Sequence, residues 1–318
     1  MTVAGPVRTV PDTLDVAKPL RAVDRLEVLA GSPRPRFRAY KTVDPLDPYM
    51  PGHFPRLTLL PAVFVLEALR QATTTVVGAA EPLNLLHVVS GRWLSPMLRG
   101  DEICLDVTAE PDGPGRWTVR AEGSRQDGTP VAVVKLVLGE SALGDRLEPE
   151  HGPPPLAAGP PPLDYAGMLD MLPVRHPMVL VDRVEAIEPG ARIVVAKGIT
   201  GGEQCYQGLP DGLPGSRYRY PRALMLESFG QASALLWLSL GAGAGVPVVA
   251  AFRDCRFAGE VYPGAVLRHE ARIDRLLSDT VFISGRTWDG DHCVLSVGAL
   301  VSASRPESTL DARLTGNP

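Results

Sequence analysis

The chain has 318 residues, of which 45% are hydrophobic and 21% charged, with a formal net charge of -4. That is enough apolar content for one large or two medium cores, and the absence of basic runs interleaved with aromatics excludes an extended nucleic-acid surface. Cys104, Cys205, Cys255 and Cys293 stand singly, without the spacing of a zinc site or the density of a disulfide framework, so the expected compartment is a reducing cytoplasm and no metal is expected.

In chain order, Met1 to Asp15 lacks the apolar run of a secretory signal. Val23-Asp24-Arg25 and an irregular strand-like stretch lead to a loop, Pro51-Gly52-His53-Phe54-Pro55. A helix is predicted from Pro61 to Ala80, opened by a proline at the first-turn position where proline is tolerated. Arg92-Trp93 and Leu98-Arg99-Gly100-Asp101 follow. Alternating apolar patterns predict strands around Ile103–Ala109, Trp117–Ser124 and Val131–Leu138, with a turn at Asp127-Gly128.

Residues 144–163 hold two triple-proline runs. These are incompatible with helix or inner strand and favour an extended linker, whose reach at about 3.1 Å per residue is on the order of 60 Å. The expected division is a first unit at 1–143, the linker at 144–163, a second unit at 164–305 and a tail at 306–318.

The second unit repeats the first. Val181-Asp182-Arg183, strand-like Ile193–Lys197 and Gln207-Gly208-Leu209-Pro210 precede a predicted helix from Pro221 to Leu240. Strands are predicted around Val266–Ile273, Val281–Thr287 and Cys293–Ser302, with a turn at Asp289-Gly290. Ala232 to Phe252 carries no charge, a length that would span a bilayer, but its Gly-rich centre and Pro247 predict a helix that breaks and passes into a buried strand. Glu67 maps onto Glu227 and Gln71 onto Gln231 at one offset. Each unit thus reads as one long helix, apolar nearly all round, followed by several strands. A curved antiparallel sheet wrapped around a central helix satisfies this pattern: an α+β, double hot-dog arrangement.

Glu67 and Glu227 interrupt otherwise apolar helices. A buried carboxylate without a partner tends to keep its proton, as a general acid near neutral pH requires. Gln71 and Gln231, four residues on, share the face of their glutamates. A glutamate on a solvated stripe is the competing reading for each. His53, between two prolines ahead of the first helix, is either a base of near-neutral pKa or a packing and capping residue. His87, His151, His176, His269 and His292 are not expected to be catalytic.

Gly52 to Ala72 (GHFPRLTLLPAVFVLEALRQA) resembles the β-hydroxyacyl-[acyl carrier protein] dehydratases, which carry a Gly-His-Phe-Pro loop, a proline eight residues after the histidine and a glutamate fourteen after it. Pro61 and Glu67 keep those spacings. Leu172 to Val184 and Tyr220 to Ala232 are similar to the opening segment and central helix of the same family. The resemblance implies that paired hot-dogs share each site, histidine from one and acid from the other, so His53 would be the base and Glu227 the acid. Gly52, Phe54, Pro61 and Gln231 would support them, and the backbone N–H groups of Ala62 and Val63 would face a developing oxyanion. The reciprocal site, with Glu67 and Gln71, would need a histidine where Leu209 stands, so one working site per chain is expected. The same one-sided arrangement marks polyketide synthase dehydratase domains. The family's usual glycines are replaced by Arg56, Ala62 and Arg222. Arg217 and Arg219, in an expanded second loop, are either solvated or aimed at a phosphopantetheine phosphate.

The resemblance implies elimination of water from a β-hydroxyacyl thioester in fatty acid or polyketide biosynthesis. The substrate would ride on the phosphopantetheine arm of an acyl carrier protein, with no cofactor, nucleic acid or membrane partner. The alternatives are a non-catalytic acyl-binding scaffold and a hot-dog thioesterase. An Asp-x-Asn-x-x-His pattern of hydratase-type hot-dogs is not found. Whether the chain forms a homodimer or joins another hot-dog subunit is left open.

Overall fold

The computed structural model describes residues 7–8, 15–140, 146–148, 151–155, 159–241, 245–306 and 310. The first half supplies β1 (Val7–Arg8), β2 (Arg25–Ala30), β3 (Arg36–Thr42), helix α1 (Ala62–Val77), β4 (Asn84–Trp93), β5 (Glu102–Pro111), β6 (Arg116–Arg125) and β7 (Pro130–Gly139). The second supplies α2 (Tyr165–Met171), β8 (Arg183–Glu188), β9 (Arg192–Gly198), α3 (Arg222–Leu238), β10 (Val246–Phe257), β11 (Val266–Leu276), β12 (Thr280–Asp289) and β13 (His292–Arg305).

Strands form where apolar side chains alternate. In β5 every second residue from Ile103 to Ala109 is buried, and the intervening ones face outward. Gly128 and Gly290 take the left-handed conformation (φ 83° and 56°) at the two predicted turns. Helix α1 begins directly after Pro61 and ends at Gly78, whose φ of 66° lets its N–H donate back to Thr74 and Thr75 carbonyls. The uncharged stretch 232–252 breaks as expected, with α3 stopping at Leu238 and β10 starting at Val246, but the strand is half-buried up to Ala251 and not buried as expected. No helix among the described residues is long and apolar enough to cross a membrane.

The two sheets join edge to edge. The strand order is β1-β2-β3-β5-β6-β7-β4-β10-β13-β12-β11-β9-β8, so the halves appear in mirrored order about the antiparallel β4–β10 pair. There Gly91 lies opposite Phe252 and Val88 opposite Cys255. A side chain at Gly91 would collide with the Trp93 indole at 2.7 Å, and that indole meets Phe252 edge-on, centroids 5.5 Å apart. Helices α1 and α3 pack against each other and share one continuous core with both halves of the sheet.

Pro154, Pro155 and Gly159 of the proline-rich linker lie against the second half. Arg268, itself paired with Glu185 at 2.7 Å, donates to the carbonyls of Pro154 and Pro155, and Arg183 donates to Gly159 O at 2.9 Å. Residues 144–145, 149–150 and 156–158 of the linker lie outside the described residues, as does the tail apart from Pro306 and Leu310.

Helix α3 approaches β12 closely at Gly285. A Cβ there would stand 2.0 Å from Glu270 O and 2.9 Å from Phe229 Cε2. Gly285→Ala should therefore force backbone apart and cost about 1–3 kcal/mol, read as a lowered urea midpoint with unchanged slope.

Candidate active site

One segment of the second half holds both sides of the site. Gln231 on α3 accepts the Leu180 N–H at 2.8 Å and donates to Met178 O at 2.8 Å and to Glu227 Oε1 at 3.1 Å. The same segment grips the first half: Arg175 N–H donates to Gly52 O at 2.8 Å. Gly52 has no room for a side chain, since a Cβ would lie 2.1 Å from Arg175 O and 2.7 Å from Met178 N. Tyr49 adds a second tie, its hydroxyl accepting Cys205 N–H at 3.0 Å. The histidine loop is thus fixed to the half that carries the acid.

His53 is 7% exposed. Its Nδ1 lies 2.7 Å from Leu59 O. A carbonyl oxygen only accepts, so Nδ1 bears the proton and Nε2 is the basic nitrogen. Burial pushes the imidazole down to about 4, against the opposing effect of the Leu59 bond. Phe54, at φ 51°, turns its ring edge-on to His53 with centroids 4.7 Å apart.

His53 and Glu227 line the same cavity of about 480 Å³. The structure thus brings a histidine of the first half and a glutamate of the second to one cavity. The cavity wall includes Leu59, Ala62, Trp93, Gly230, Val248 and Phe252. Glu227 has accessible surface, which opens on this cavity; within the protein, burial still raises its pKa, while the Gln231 bond works in the other direction. Ala62 opens α1 on the cavity wall, and the first N–H groups of a helix have no acceptor within it. Val63 follows, with its side chain buried in the core. Pro61 sets the helix entry at φ -56°.

The carboxyl of Glu67 has a different fate. Arg70 clasps it with two bonds, 2.6 and 2.9 Å, and Gln71 donates to it at 2.6 Å. Burial acts to lower the Arg70 pKa, but the charge and hydrogen bonds of Glu67 raise it overall. The residue corresponding to Arg70 in α3 is Gly230, which leaves open space beside Glu227. The sequence signal was the third position after each glutamate, and the glutamate–glutamine match alone does not expose it. The adjoining cavity measures about 60 Å³ and no histidine lines it.

Leu209 requires a correction. It packs on the main core and does not line the smaller cavity. Gln71 bonds Leu20 O and Ala22 N as Gln231 bonds Met178 O and Leu180 N, which makes Ala17 the counterpart of Arg175. Ala17 N–H donates to Arg217 O. The inserted turn at 215–218 therefore occupies the place that the Gly52 loop holds in the first half. Nor do the inserted arginines point to solvent: Arg217 pairs with Glu81 at 3.0 Å and Arg219 with Glu260 at 3.1 Å.

His269 is a core residue. Ser228 spends its hydroxyl proton on Leu180 O, so it accepts from His269 Nε2–H at 2.7 Å, and Thr287 donates to Nδ1 at 2.8 Å. Burial pushes this ring down to about 3. His87 pairs with Asp254 at 2.7 Å across the β4–β10 joint. All four cysteines are free thiols, and burial raises the pKa of each. Among the described residues, no group of His, Cys, Asp and Glu is placed to hold a metal ion.

Residues 16–88 match the FabA-like domain. A stretch of 143 residues is 36% identical to 3-hydroxyacyl-[acyl-carrier-protein] dehydratase FabZ of Symbiobacterium thermophilum, covering 44% of this chain and 98% of that protein. The chain belongs to the 3-hydroxyacyl-[acyl-carrier-protein] dehydratase family. The dehydratase of the same name from Clostridium acetobutylicum is 40% identical over 112 residues, 35% of this chain and 77% of that protein. The fold of this family member extends over both halves. The dehydratase domain from the CurJ module of curacin polyketide synthase superposes with a TM-score of 0.60 at 12% identity, over 92% of this chain and 98% of that one. A putative thioesterase from Novosphingobium aromaticivorans shares the fold at a TM-score of 0.52 and 18% identity, over 84% and 95%. The α+β double hot-dog is thus the architecture of this dehydratase-family chain.

The imidazole of His53 should titrate near pH 4 in its Nδ1–H form, as read from side-chain 15N shifts. Gly52→Ala, by prising the loop from Arg175, should move the midpoint upward toward 6.5. A midpoint already above 6 in the unaltered chain would contradict the buried geometry.

Proposed function

We propose that this chain dehydrates a β-hydroxyacyl thioester to the α,β-enoyl thioester, within fatty acid or polyketide biosynthesis. The observation that carries the reading is the meeting of His53 and Glu227 in one cavity, where burial favours the uncharged form of each. Nε2 of neutral His53 takes the α-proton. The developing enolate oxygen is stabilised by N–H groups at the start of α1, those of Ala62 and Val63. Glu227, whose neutral form burial favours, gives its proton to the departing β-hydroxyl, which leaves as water. Gln231 holds the carboxyl in position. Proton transfer by two side chains completes the chemistry, so the proposal calls for no metal or organic cofactor. The substrate is proposed to arrive on the phosphopantetheine arm of an acyl carrier protein in the cytoplasm, and the apolar wall from Trp93 to Phe252 would receive the acyl chain.

The test offers a β-hydroxyacyl carrier thioester and follows the acyl mass. Loss of one water supports the proposal; loss of the whole acyl group would identify a thioesterase, and no change a scaffold. His53→Ala and Glu227→Gln should each lower turnover by about 10²–10⁴-fold, the usual worth of a general acid or base. Glu67→Gln should keep most activity. Gly230→Arg should behave like Glu227→Gln, because it rebuilds at Glu227 the ion pair that occupies Glu67.

The pH profile should be bell-shaped. On the acid side, turnover falls as His53 protonates near pH 4. On the alkaline side, it falls as Glu227 ionises above the ordinary glutamate range. Initial rates of the unaltered chain and Glu227→Gln across pH check this: the alkaline limb should vanish with the carboxyl.

A further inference from the structure

The cavity shared by His53 and Glu227 has one described wall residue that lies beyond the last strand. Leu310 follows the end of β13 and is 8% exposed. It lines the cavity and packs with Leu57 and Leu98, against Phe54, Leu59, Val246 and Val248. These contacts come from both halves. Leu57 and Leu59 belong to the loop after His53, and Leu59 O holds the His53 ring. An apolar side chain at that place both occupies space and keeps water from the loop.

We propose that Leu310 is a specificity-determining residue of the acyl pocket, closing its wall so that the length of the acyl chain is limited. For its substrate the proposal rests on the dehydratase reading. A single methylene in a hydrophobic pocket changes discrimination by roughly tenfold or more, so a side chain the size of leucine has a measurable share in the choice.

The experiment compares kcat/KM for β-hydroxybutyryl and β-hydroxydecanoyl thioesters on a carrier protein, using the full chain. Leu310→Ala should raise the ratio of long to short substrate on the order of tenfold, and Leu310→Trp should lower it. A ratio unchanged in both variants overturns the proposal. If the unaltered chain dehydrates neither thioester, the dehydratase reading fails separately. The position of Leu310 is then tested by the 15N titration of His53 in Leu310→Asp and in a chain ending at Pro306. Opening the wall should move the midpoint from about 4 toward 6.5. A midpoint that stays near 4 in both overturns the proposal.

Discussion

The backbone from Arg175 to Leu180 is the contact on which the site depends. At one end its N–H grips Gly52, and at the other Met178 and Leu180 hold the Gln231 amide, which also donates to Glu227. Neither His53 nor Glu227 needs to touch the other for their separation to be fixed. Both are referred to one short stretch of main chain, and main chain is stiffer than any side-chain ladder. The remaining architecture serves this. The β4–β10 pair makes the halves one body, and the two helices meet inside it. A hinge at that joint would leave acid and base on separate domains.

The second constraint is dielectric. An imidazole that must accept a proton and a carboxyl that must give one are both uncharged at the start of the reaction. Burial favours the uncharged form of each, so the same apolar lining that receives an acyl chain also sets the protonation states. Charged neighbours would upset this. Gly230 supplies none, and among the described residues no cation pairs with the Glu227 carboxyl.

Much of this was legible in the sequence. The repeat, the helix starts after Pro61 and Pro221, and the carboxyls at Glu67 and Glu227 follow from periodicity and from polar residues in apolar helices. The juncture of the sheets was not legible: β4 carries no clean alternation, with His87, Ser90 and Gly91 among its residues, and edge-to-edge pairing leaves no local mark. Leu209 misled because loop length, not residue identity, decides which backbone meets Ala17. Counting back from Pro221 across an insertion cannot give that register; the hydrogen bond to Arg217 does.

The difference between the halves reduces to how each solves the burial of one glutamate. A buried carboxylate needs a partner, or it keeps its proton. Arg70 provides a partner for Glu67 and, in doing so, fills space beside it. The carboxyl becomes a structural anion, and the cavity shrinks to about 60 Å³. Gly230 provides nothing for Glu227, so burial favours the neutral acid, which keeps its room. Two equal subunits of one sequence would have to make the same choice twice. Joining them in one chain releases the two glutamates from that identity, so one half can spend its carboxyl on cohesion while the other keeps it for chemistry.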